Sequence, residues 1–241
     1  MYSKTLDQAG LANKIGGKEY NFRDKQGQVA VEADLWRLTH EISRAPQGIV
    51  YAHQVHQDQV TYVTSQDSDD MIQRIADSDG LMTNQVGLAL VIKFADCTPV
   101  VIYDPIKKVQ AIVHSGWRST VKEISTVAIS KMQDQFDCQV RDLCVYIGPT
   151  IDQMHYEVGQ EVYAAFEGVG NRDRYFEQDK QTDKYYLNML EANLYILEKA
   201  GISTDQIEYS DEFTYTSDHL HSARRDQPDY GLNAMVTMIR P

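Results

Sequence analysis

ADCTPVVIYDPIKKVQAIVHSGWRST, from Ala95 to Thr120, is the stretch that says most about the architecture of this chain. It contains two apolar runs, Pro99–Asp104 and Val109–His114, which are rich in the β-branched and aromatic residues that favour strands. The four residues PIKK between the runs include a proline and suit a turn. The stretch therefore predicts a β-hairpin with Cys97 and His114 near its open end.

The length of the turn determines which residues of the hairpin face each other. With PIKK as the loop, Asp104 lies opposite Val109, and counting along both strands places His114 opposite Pro99. Side chains alternate between the two faces of a strand, so Cys97 shares the face of Pro99 and is a diagonal neighbour of His114. Diagonal neighbours are roughly 7 to 8 Å apart between backbones. The register thus predicts that the two side chains converge.

A cysteine and a histidine that converge support two kinds of chemistry. In a nucleophile pair, the histidine lowers the pKa of the thiol. In a metal site, both side chains are ligands for zinc or copper, and a third protein ligand leaves one position open for water. The strand-rich segment Gly48–Ser65 offers His53 and His56 as candidates for that third ligand. A buried cysteine beside an unrelated histidine is the remaining alternative.

Further strands are predicted on both sides of the hairpin. Leu88–Phe94 (LALVIKF) is a short continuous apolar run of the kind that forms a buried strand, and Leu143–Pro149 (LCVYIGP) predicts another. The acidic stretch Ser65–Gly80 predicts a solvated connection. No phosphate-binding glycine motif of the GxGxxG or GxxxxGK[ST] type occurs.

Helices are predicted among these strands. Val31–Ile42 and Leu187–Gly201 carry apolar residues at helical spacing. After the hairpin, Thr120 and Glu123 match a capping box, and a helix N-terminus there would favour an anion. Because strands and helices alternate irregularly, the sequence predicts a mixed α/β or α+β layered fold. Residues 1–241 contain no linker or internal repeat, which favours a single domain.

Composition limits the function classes. The chain has 35 acidic and 23 basic residues, a formal net charge of −12, and no segregated basic patch, so nucleic acid is not an expected partner. Three cysteines without a CxxC pair favour neither a disulfide framework nor a zinc ribbon. No signal-peptide apolar region and no membrane-spanning run is visible, so we expect a cytoplasmic protein without a membrane partner.

Five segments between Val50 and Asp226 resemble the YfiH-like or laccase-domain family, also described as multicopper polyphenol oxidoreductase-like. Relatives in that family include the peptidoglycan editing factor and human FAMIN. The motifs occur in the family's order and spacing, and they are HQVHQDQV (53–60), DGLMTNQVGLALVIKFADCTPVVIYDP (79–105), VHSGWRST (113–120), IGPTIDQMHYEVGQEV (147–162) and HSARRD (221–226). The resemblance implies a single α/β/β/α sandwich domain over residues 1–241.

The resemblance also implies a set of metal ligands. The family histidine in QVH matches His56, the cysteine in ADC matches Cys97, and the histidine in H-x-G-W-R matches His114. These three look like a catalytic His-Cys-His metal site, usually for zinc and in some members described for copper. The family motifs are altered at Ser119, Met154–His155, Phe213 and Tyr230–Asn233, while the three ligands are intact.

Three activities are implied by the resemblance. The first is a purine nucleoside enzyme that phosphorolyses adenosine, inosine and methylthioadenosine and deaminates adenosine, with the nucleoside and phosphate as its small-molecule partners. The second is a copper-dependent polyphenol oxidase, or laccase. The third is a peptidoglycan editing factor that acts as a quality-control protein. A laccase needs several coppers to pass four electrons to oxygen, so one Cys-containing site favours the nucleoside enzyme.

Three further residues are candidates for the reaction. Asp96, beside the cysteine, is a candidate catalytic proton shuttle, and its alternative role is that of a structural hydrogen-bond acceptor. Arg118 and Arg224 match family arginines, and a guanidinium can bind phosphate through two hydrogen bonds. The alternative for each arginine is an exposed or salt-bridged surface position.

Overall fold

The computed structural model describes residues 1–67 and 70–240, and β-strands dominate that part of the chain. The strands are β1 (Leu11–Gly16), β2 (Gly48–Ala52), β3 (Val60–Tyr62), β4 (Ile72–Ile75), β5 (Gly80–Thr83), β6 (Leu88–Phe94), β7 (Thr98–Asp104), β8 (Val109–Ser115), β9 (Cys144–Ile147), β10 (Glu157–Val158), β11 (Phe176–Gln178), β12 (Tyr185–Leu187), β13 (Ile207–Tyr209) and β14 (Asn233–Ile239). The helices are α1 (Lys4–Gln8), α2 (Gln28–His40), α3 (Trp117–Val121), α4 (Ile124–Phe136), α5 (Gln160–Ala165), α6 (Met189–Lys199) and α7 (Ala223–Asp226).

The strands form two large mixed sheets and one small sheet. The order in the five-stranded sheet is β1-β14-β6-β2-β4, and the order in the six-stranded sheet is β13-β9-β7-β8-β5-β3. The small sheet has the order β10-β12-β11. The predicted hairpin is confirmed as β7 and β8, with Asp104 paired to Val109 and Pro99 paired to His114.

The two large sheets pack face to face around a common core. Leu90 and Ile92 of β6 share this core with Val101 of β7 and Ile112 of β8, and all four are fully buried. The intervening residue Val91 points to the opposite face of the sheet and packs with α2. Both faces of β6 are therefore covered, which explains why its sequence is apolar throughout rather than alternating.

Helices cover the outer faces of both sheets. Leu35 and Leu38 of α2 pack on the five-stranded sheet. Ile124 and Met132 of α4, with Leu197 of α6, pack on the six-stranded sheet. The resulting order of helix, sheet, sheet and helix confirms the α+β sandwich that was expected. No helix among the described residues is long and apolar enough to cross a membrane.

Two expectations about the second half of the sandwich need correction. The helix expected to start at Thr120 is divided, because Glu123 adopts a left-handed conformation (φ 53°) between α3 and α4. Its carboxylate makes an ion pair with Lys199 at 2.5 Å, and Thr120 bonds to the carbonyl of Gly116. The prediction of a capping box at Thr120 and Glu123 was therefore wrong. The helix predicted from Leu187 begins at Met189, after Asn188 caps it.

The acidic stretch is also more structured than predicted. Ile72–Ile75 forms β4, which pairs in parallel with β2 at the edge of the five-stranded sheet. Asp79, the next-to-last residue of the acidic stretch, is fully buried. The prediction of a solvated connection was therefore wrong for these residues, while Ser68 and Asp69 lie outside the described part of the chain.

Candidate metal centre

The three predicted ligands meet at one end of the sandwich. The ligand atoms of His56, Cys97 and His114 all lie within 4.8 Å of one another. The Cys97 Sγ is 4.0 Å from the His56 Nε2, and the two imidazole rings are 4.9 Å apart at an interplanar angle of 76°. His114 is buried, Cys97 is half-buried and His56 is exposed. The cluster is therefore open to solvent on the His56 side.

The hairpin positions two of these ligands. Cys97 directly precedes β7, and His114 is the next-to-last residue of β8. Their proximity follows from the pairing of Pro99 with His114, as the turn length predicted. The third ligand comes from outside the hairpin. His56 lies in the loop between β2 and β3 and has a left-handed backbone (φ 57°), so the prediction that it lies on a strand was wrong.

Asp79 holds both histidines in place. Its Oδ1 accepts hydrogen bonds from the His114 Nδ1 at 3.0 Å and from the His56 backbone N–H at 2.9 Å. Its Oδ2 accepts from the backbone N–H groups of Val55 and Gln57 at 3.0 and 2.8 Å. The bond to Nδ1 leaves the His114 Nε2 as the nitrogen available to a metal. Such a carboxylate fixes both ring orientation and tautomer.

The sequence reasoning did not identify Asp79 as part of the site. Burial alone would raise the pKa of this carboxyl, but its hydrogen bonds to His114 and to the backbone N–H groups outweigh burial and lower it. Asp79 therefore stays ionised in the interior. The available signal was its position directly before β5, an apolar strand that pairs with β8. Only the pairing of β5 with β8 turns that position into a contact with His114.

Gly116 leaves room for the cluster. A Cβ atom at this position would lie 2.9 Å from the Cys97 Sγ and 3.0 Å from the His56 Cδ2. Its backbone has an ordinary extended conformation (φ −73°), so the requirement for glycine comes from space and not from backbone strain. This contact explains the glycine of the HSGWR motif.

Cys97 and His114 influence each other's ionisation. Burial alone would raise the pKa of the Cys97 thiol, but the charge and hydrogen bond of His114 lower it to about 6. Burial alone would lower the pKa of His114, but the charge of Cys97 and the bond to Asp79 raise it to about 9. Both shifts favour the ionised forms, a thiolate beside an imidazolium. A thiolate is the form of cysteine that binds metal.

The donor set fits a single metal ion. Two imidazole nitrogens and one thiolate are ligands that zinc takes in tetrahedral sites, and three protein ligands leave a fourth position open. Among residues 1–67 and 70–240, this is the one group of three or more His, Cys, Asp or Glu side chains close enough to hold a metal. His56, Cys97 and His114 line a cavity of about 510 Å³, which is within the size range of small-molecule sites.

Asp96 lies beside the cluster and has both carboxylate oxygens occupied. Oδ1 accepts a hydrogen bond from the Thr214 hydroxyl, and Oδ2 accepts one from the backbone N–H of Arg224, each at 2.6 Å. Asp96 itself has a left-handed backbone (φ 80°) and is buried. These contacts tie the turn before Cys97 to the start of α7. They favour the role of hydrogen-bond acceptor over that of proton shuttle.

Arg118 and Arg224 do not line the cavity. The Arg118 guanidinium lies 4.2 Å from the ring centre of Trp117, and the Arg224 guanidinium donates to the Glu157 carbonyl at 3.0 Å. Both act electrostatically on Tyr156. The pKa of that phenol is raised overall by burial and by the charge of Cys97. The charges of the two arginines offset part of this rise. Tyr156, which sequence reasoning missed, is thus within electrostatic reach of Cys97 and of both arginines.

The cavity wall away from the ligands is built by residues that the sequence did not indicate. Arg23, Asp24 and Lys25 contribute from the segment before α2, Lys93 contributes from β6, and Tyr230 contributes from the loop before β14. His53, the other candidate for the third ligand, also lines the cavity, but its Nδ1 contacts the carboxylate of Asp77 at 3.3 Å.

Known proteins are similar to this chain in sequence and fold. A purine nucleoside phosphorylase from Bacteroides thetaiotaomicron is 32% identical over 197 residues, which are 78% of this chain and 72% of that protein. The purine nucleoside phosphorylase YlmD from Bacillus subtilis is 30% identical over 190 residues, 77% of this chain and 68% of its own. The crystal structure of the hypothetical protein YfiH from Bacillus licheniformis superposes with a TM-score of 0.87 at 25% identity, covering 99% of this chain and 96% of that one.

The family model described as multi-copper polyphenol oxidoreductase laccase matches residues 13–240, which include the whole of both large sheets except the first two residues of β1. The match contains the three ligands and Asp79. With the sandwich and the His-Cys-His cluster already established, the chain belongs to the multi-copper polyphenol oxidoreductase laccase family.

Proposed function

We propose that this protein is a metal-dependent purine nucleoside phosphorylase that uses one zinc ion. The observation that carries the proposal is the His56-Cys97-His114 cluster on the wall of a cavity of about 510 Å³, the one such cluster in the part of the chain that the structure describes. Two relatives of about 30% identity are named purine nucleoside phosphorylases, which supports the substrate class. Adenosine, inosine and methylthioadenosine are the proposed substrates, and phosphate is the second reactant.

Phosphorolysis exchanges one bond for another. An oxygen of phosphate bonds to C1′ of the ribose while the bond from C1′ to the purine nitrogen breaks, and the departing base takes up a proton. When bound, zinc would act as a Lewis acid that polarises an oxygen or lowers the pKa of water. His56, Cys97 and His114 would hold it, with Asp79 fixing both histidines.

The arginines supply charge for the phosphate in this proposal. The charges of Arg118 and Arg224 act on the Tyr156 phenol, as does that of the Cys97 thiol. Guanidinium groups bind phosphate oxygens through paired hydrogen bonds. Asp96 would then orient Arg224 through the backbone bond of 2.6 Å, which is a positioning role.

Deamination of adenosine is a second candidate activity. Three protein ligands leave a zinc position open, and His56 is exposed beside it, so water can reach the centre. The copper oxidase alternative needs further copper ligands, and the described residues contain one candidate cluster.

The three cysteines are free thiols, which suits the reducing cytoplasm that we propose as the compartment of this protein.

The test combines metal analysis with turnover. Metal content is measured by mass spectrometry on untagged wild type and on the alanine variants of His56, Cys97 and His114, together with adenosine turnover with and without phosphate. We expect about one zinc per chain and phosphate-dependent release of adenine. Both should be lost in the three variants.

Other outcomes separate the alternatives. Ammonia release without phosphate would assign deamination. Several coppers with oxidation of phenols would support the laccase. Zinc without any turnover, and a lower melting temperature after chelation, would support a structural metal in a quality-control protein. A C97A variant with unchanged turnover would overturn the proposed phosphorylase.

A further inference from the structure

Lys93 is the most deeply buried of the lysines and arginines that face the metal cavity. It lies near the end of β6, four residues before Cys97, and its side chain is 7% exposed. The ammonium is 2.5 Å from the Asp24 Oδ1 and 5.6 Å from the ring centre of Tyr51. Burying a lysine is costly unless its charge has partners, so this placement requires an explanation.

The position of Lys93 is fixed relative to the metal ligands. Gln54, two residues before His56, accepts a hydrogen bond from the Lys93 backbone N–H at 2.9 Å and donates one to its carbonyl at 2.6 Å. One side-chain amide thus binds both backbone groups of Lys93. The loop that carries His56 and the strand that carries Lys93 are therefore held in register on adjacent walls of the cavity.

The charges that line the cavity do not balance. Arg23, Lys25 and Lys93 are cations, and Asp24 is the one carboxylate among the described lining residues, although Lys25 is also paired with Asp229 at 2.8 Å. Asp24 is shared, since its Oδ2 also accepts from Arg74 at 3.0 Å. The remaining excess of positive charge occurs in a chain whose formal net charge is −12. The cavity is thus a local site of positive charge in an acidic protein, which favours an anionic ligand.

Lys93 also has donors to spare. An ammonium group carries three N–H donors. The described residues provide one hydrogen-bond acceptor, Asp24, for the Lys93 Nζ. A charged donor that is more than nine-tenths buried and borders a cavity is ready to bind an acceptor inside that cavity.

Arg23 extends the same wall outward. Its guanidinium lies 4.1 Å from the ring centre of Tyr230 and donates to the Tyr230 carbonyl at 2.8 Å. Stacking and this hydrogen bond hold the group flat against the loop before β14. Arg23 therefore presents a rigid cation to the metal cavity, and Lys93 presents a buried one.

We propose that Lys93 and Arg23 form an anion subsite in the metal cavity that binds a phosphate group of the substrates. This inference rests on the proposed function for the identity of those substrates. Two sources share the chemistry. If inorganic phosphate binds here, Lys93 and Arg23 replace Arg118 and Arg224 as its contacts. If a phosphate ester at the 5′ position of a purine nucleoside binds here, the subsite is additional to those two arginines. In either case the ammonium and the guanidinium bind phosphate oxygens, while Asp24 and Gln54 position Lys93.

The test is a binding measurement that does not depend on turnover. Isothermal titration calorimetry on the zinc-loaded protein measures the affinity for inorganic phosphate and for adenosine 5′-monophosphate. The variants are K93M, which removes the buried charge at similar length, and R23M, which removes the partly exposed one. The matched control is K107M, in the turn between β7 and β8 at the opposite end of the hairpin from His114. Circular dichroism and zinc content verify that each variant is folded and loaded.

We expect K93M and R23M to weaken binding of inorganic phosphate about tenfold or more, with K107M unchanged. If only the nucleotide affinity falls in K93M and R23M, the subsite still stands and the ester is its source. Equal affinities in wild type, K93M and R23M, or no binding of either probe to wild type, would overturn the subsite. If wild type binds phosphate through Lys93 and yet turns over no nucleoside, the proposed function fails and the subsite does not.

Discussion

Asp79 places one negative charge among four hydrogen-bond donors. Each of its oxygens accepts two of them, from the His114 ring and from three consecutive backbone N–H groups around His56. No neutral side chain of the same size can accept all four. The two histidines of the candidate metal centre therefore depend on one buried carboxylate, although neither is adjacent to it in sequence.

Replacing Asp79 with asparagine should weaken metal binding. The new amide nitrogen would face two N–H donors, so the orientation of either His114 or the His56 loop must change. Loss of such a partner reduces metal affinity by about 10- to 100-fold. Competition with a chromophoric zinc chelator measures the effect. D77N is the control, since Asp77 is exposed and contacts His53, and equal zinc affinity in D79N and wild type would contradict this role.

Cys97 should be the reactive thiol of the metal-free protein. Its pKa is lowered from 9.0 to about 6 because the charge of His114 outweighs burial, while burial raises the pKa of Cys138 to about 12 and also raises that of Cys144. A lowered pKa means that the thiolate forms as pH rises through about 6. After chelation, labelling of Cys97 by iodoacetamide should therefore increase as the pH rises from about 5 to about 7.

Peptide mapping by mass spectrometry identifies which cysteine is labelled. Zinc should protect Cys97 from iodoacetamide, because a coordinated thiolate is a poor nucleophile toward it. Labelling of Cys144 before Cys97 would show that His114 does not lower the thiol pKa. Labelling that is unaffected by zinc would argue against Cys97 as a ligand.

Asp96 offers a direct choice between two roles. A proton shuttle contributes about 10²- to 10⁴-fold to turnover, so D96N would lose that much of kcat. Since Thr214 and Arg224 already occupy both oxygens, we expect kcat in D96N to stay within about tenfold of wild type and KM to rise through a displaced Arg224. Steady-state kinetics across pH decide the matter. A lost limb of the pH profile together with a collapsed kcat would establish the shuttle.

At the scale of elements, the connection from β8 to α3 allows the ligands to approach each other. Gly116 follows the last residue of β8 and precedes the first residue of α3. Its missing side chain is what lets the Cys97 thiol and the His56 ring approach this turn. The split between α3 and α4 at Glu123 then directs the chain back over the outer face of the six-stranded sheet.

A G116A substitution should reduce metal binding more than stability. The added Cβ would lie 2.9 Å from the Cys97 Sγ, so the thiol must move, whereas the backbone conformation is one that alanine adopts without strain. We expect zinc content to fall well below one per chain while the melting temperature of the chelated protein changes little. G168A is the matched control, because a Cβ there meets nothing within 4 Å. Full zinc occupancy in G116A would contradict the steric argument.

At the scale of the whole molecule, stability and metal binding rest on different parts of the sandwich. The core between the sheets is apolar and fully buried, while the candidate metal centre lies where strands of the six-stranded sheet end. Helices close both outer faces. A mutation in the shared core should therefore lower the free energy of unfolding without changing the ligands.

Ile92 tests this separation. Truncating a fully buried isoleucine removes apolar contact and leaves a cavity, which costs about 2 to 5 kcal/mol. I92A should show this loss in urea unfolding, and its zinc content should match wild type. I106A is the control, since Ile106 is 69% exposed and its loss should change stability by about 0.5 kcal/mol or less. A wild-type unfolding curve for I92A would mean that the inter-sheet core is not packed as described.

The sequence by itself determined the hairpin and, through its register, the meeting of Cys97 with His114. Strand alternation and a four-residue turn are local properties, so counting along the chain was enough to pair Pro99 with His114. The continuous apolar run of β6 likewise indicated a buried strand. His56 came from resemblance, because the residues alone left it equivalent to His53.

The tertiary structure alone decided the surroundings of that pair. Asp79 reaches His114 because β5 is the neighbour of β8, and Lys93 shares a cavity with His56 because β6 is the neighbour of β2. Arg23 and Tyr230 meet across more than two hundred residues of chain. Which strands become neighbours depends on how the two sheets bury their apolar faces together, and no local pattern encodes that choice. The ligand pair is thus a product of local register, and its charge environment is a product of long-range packing.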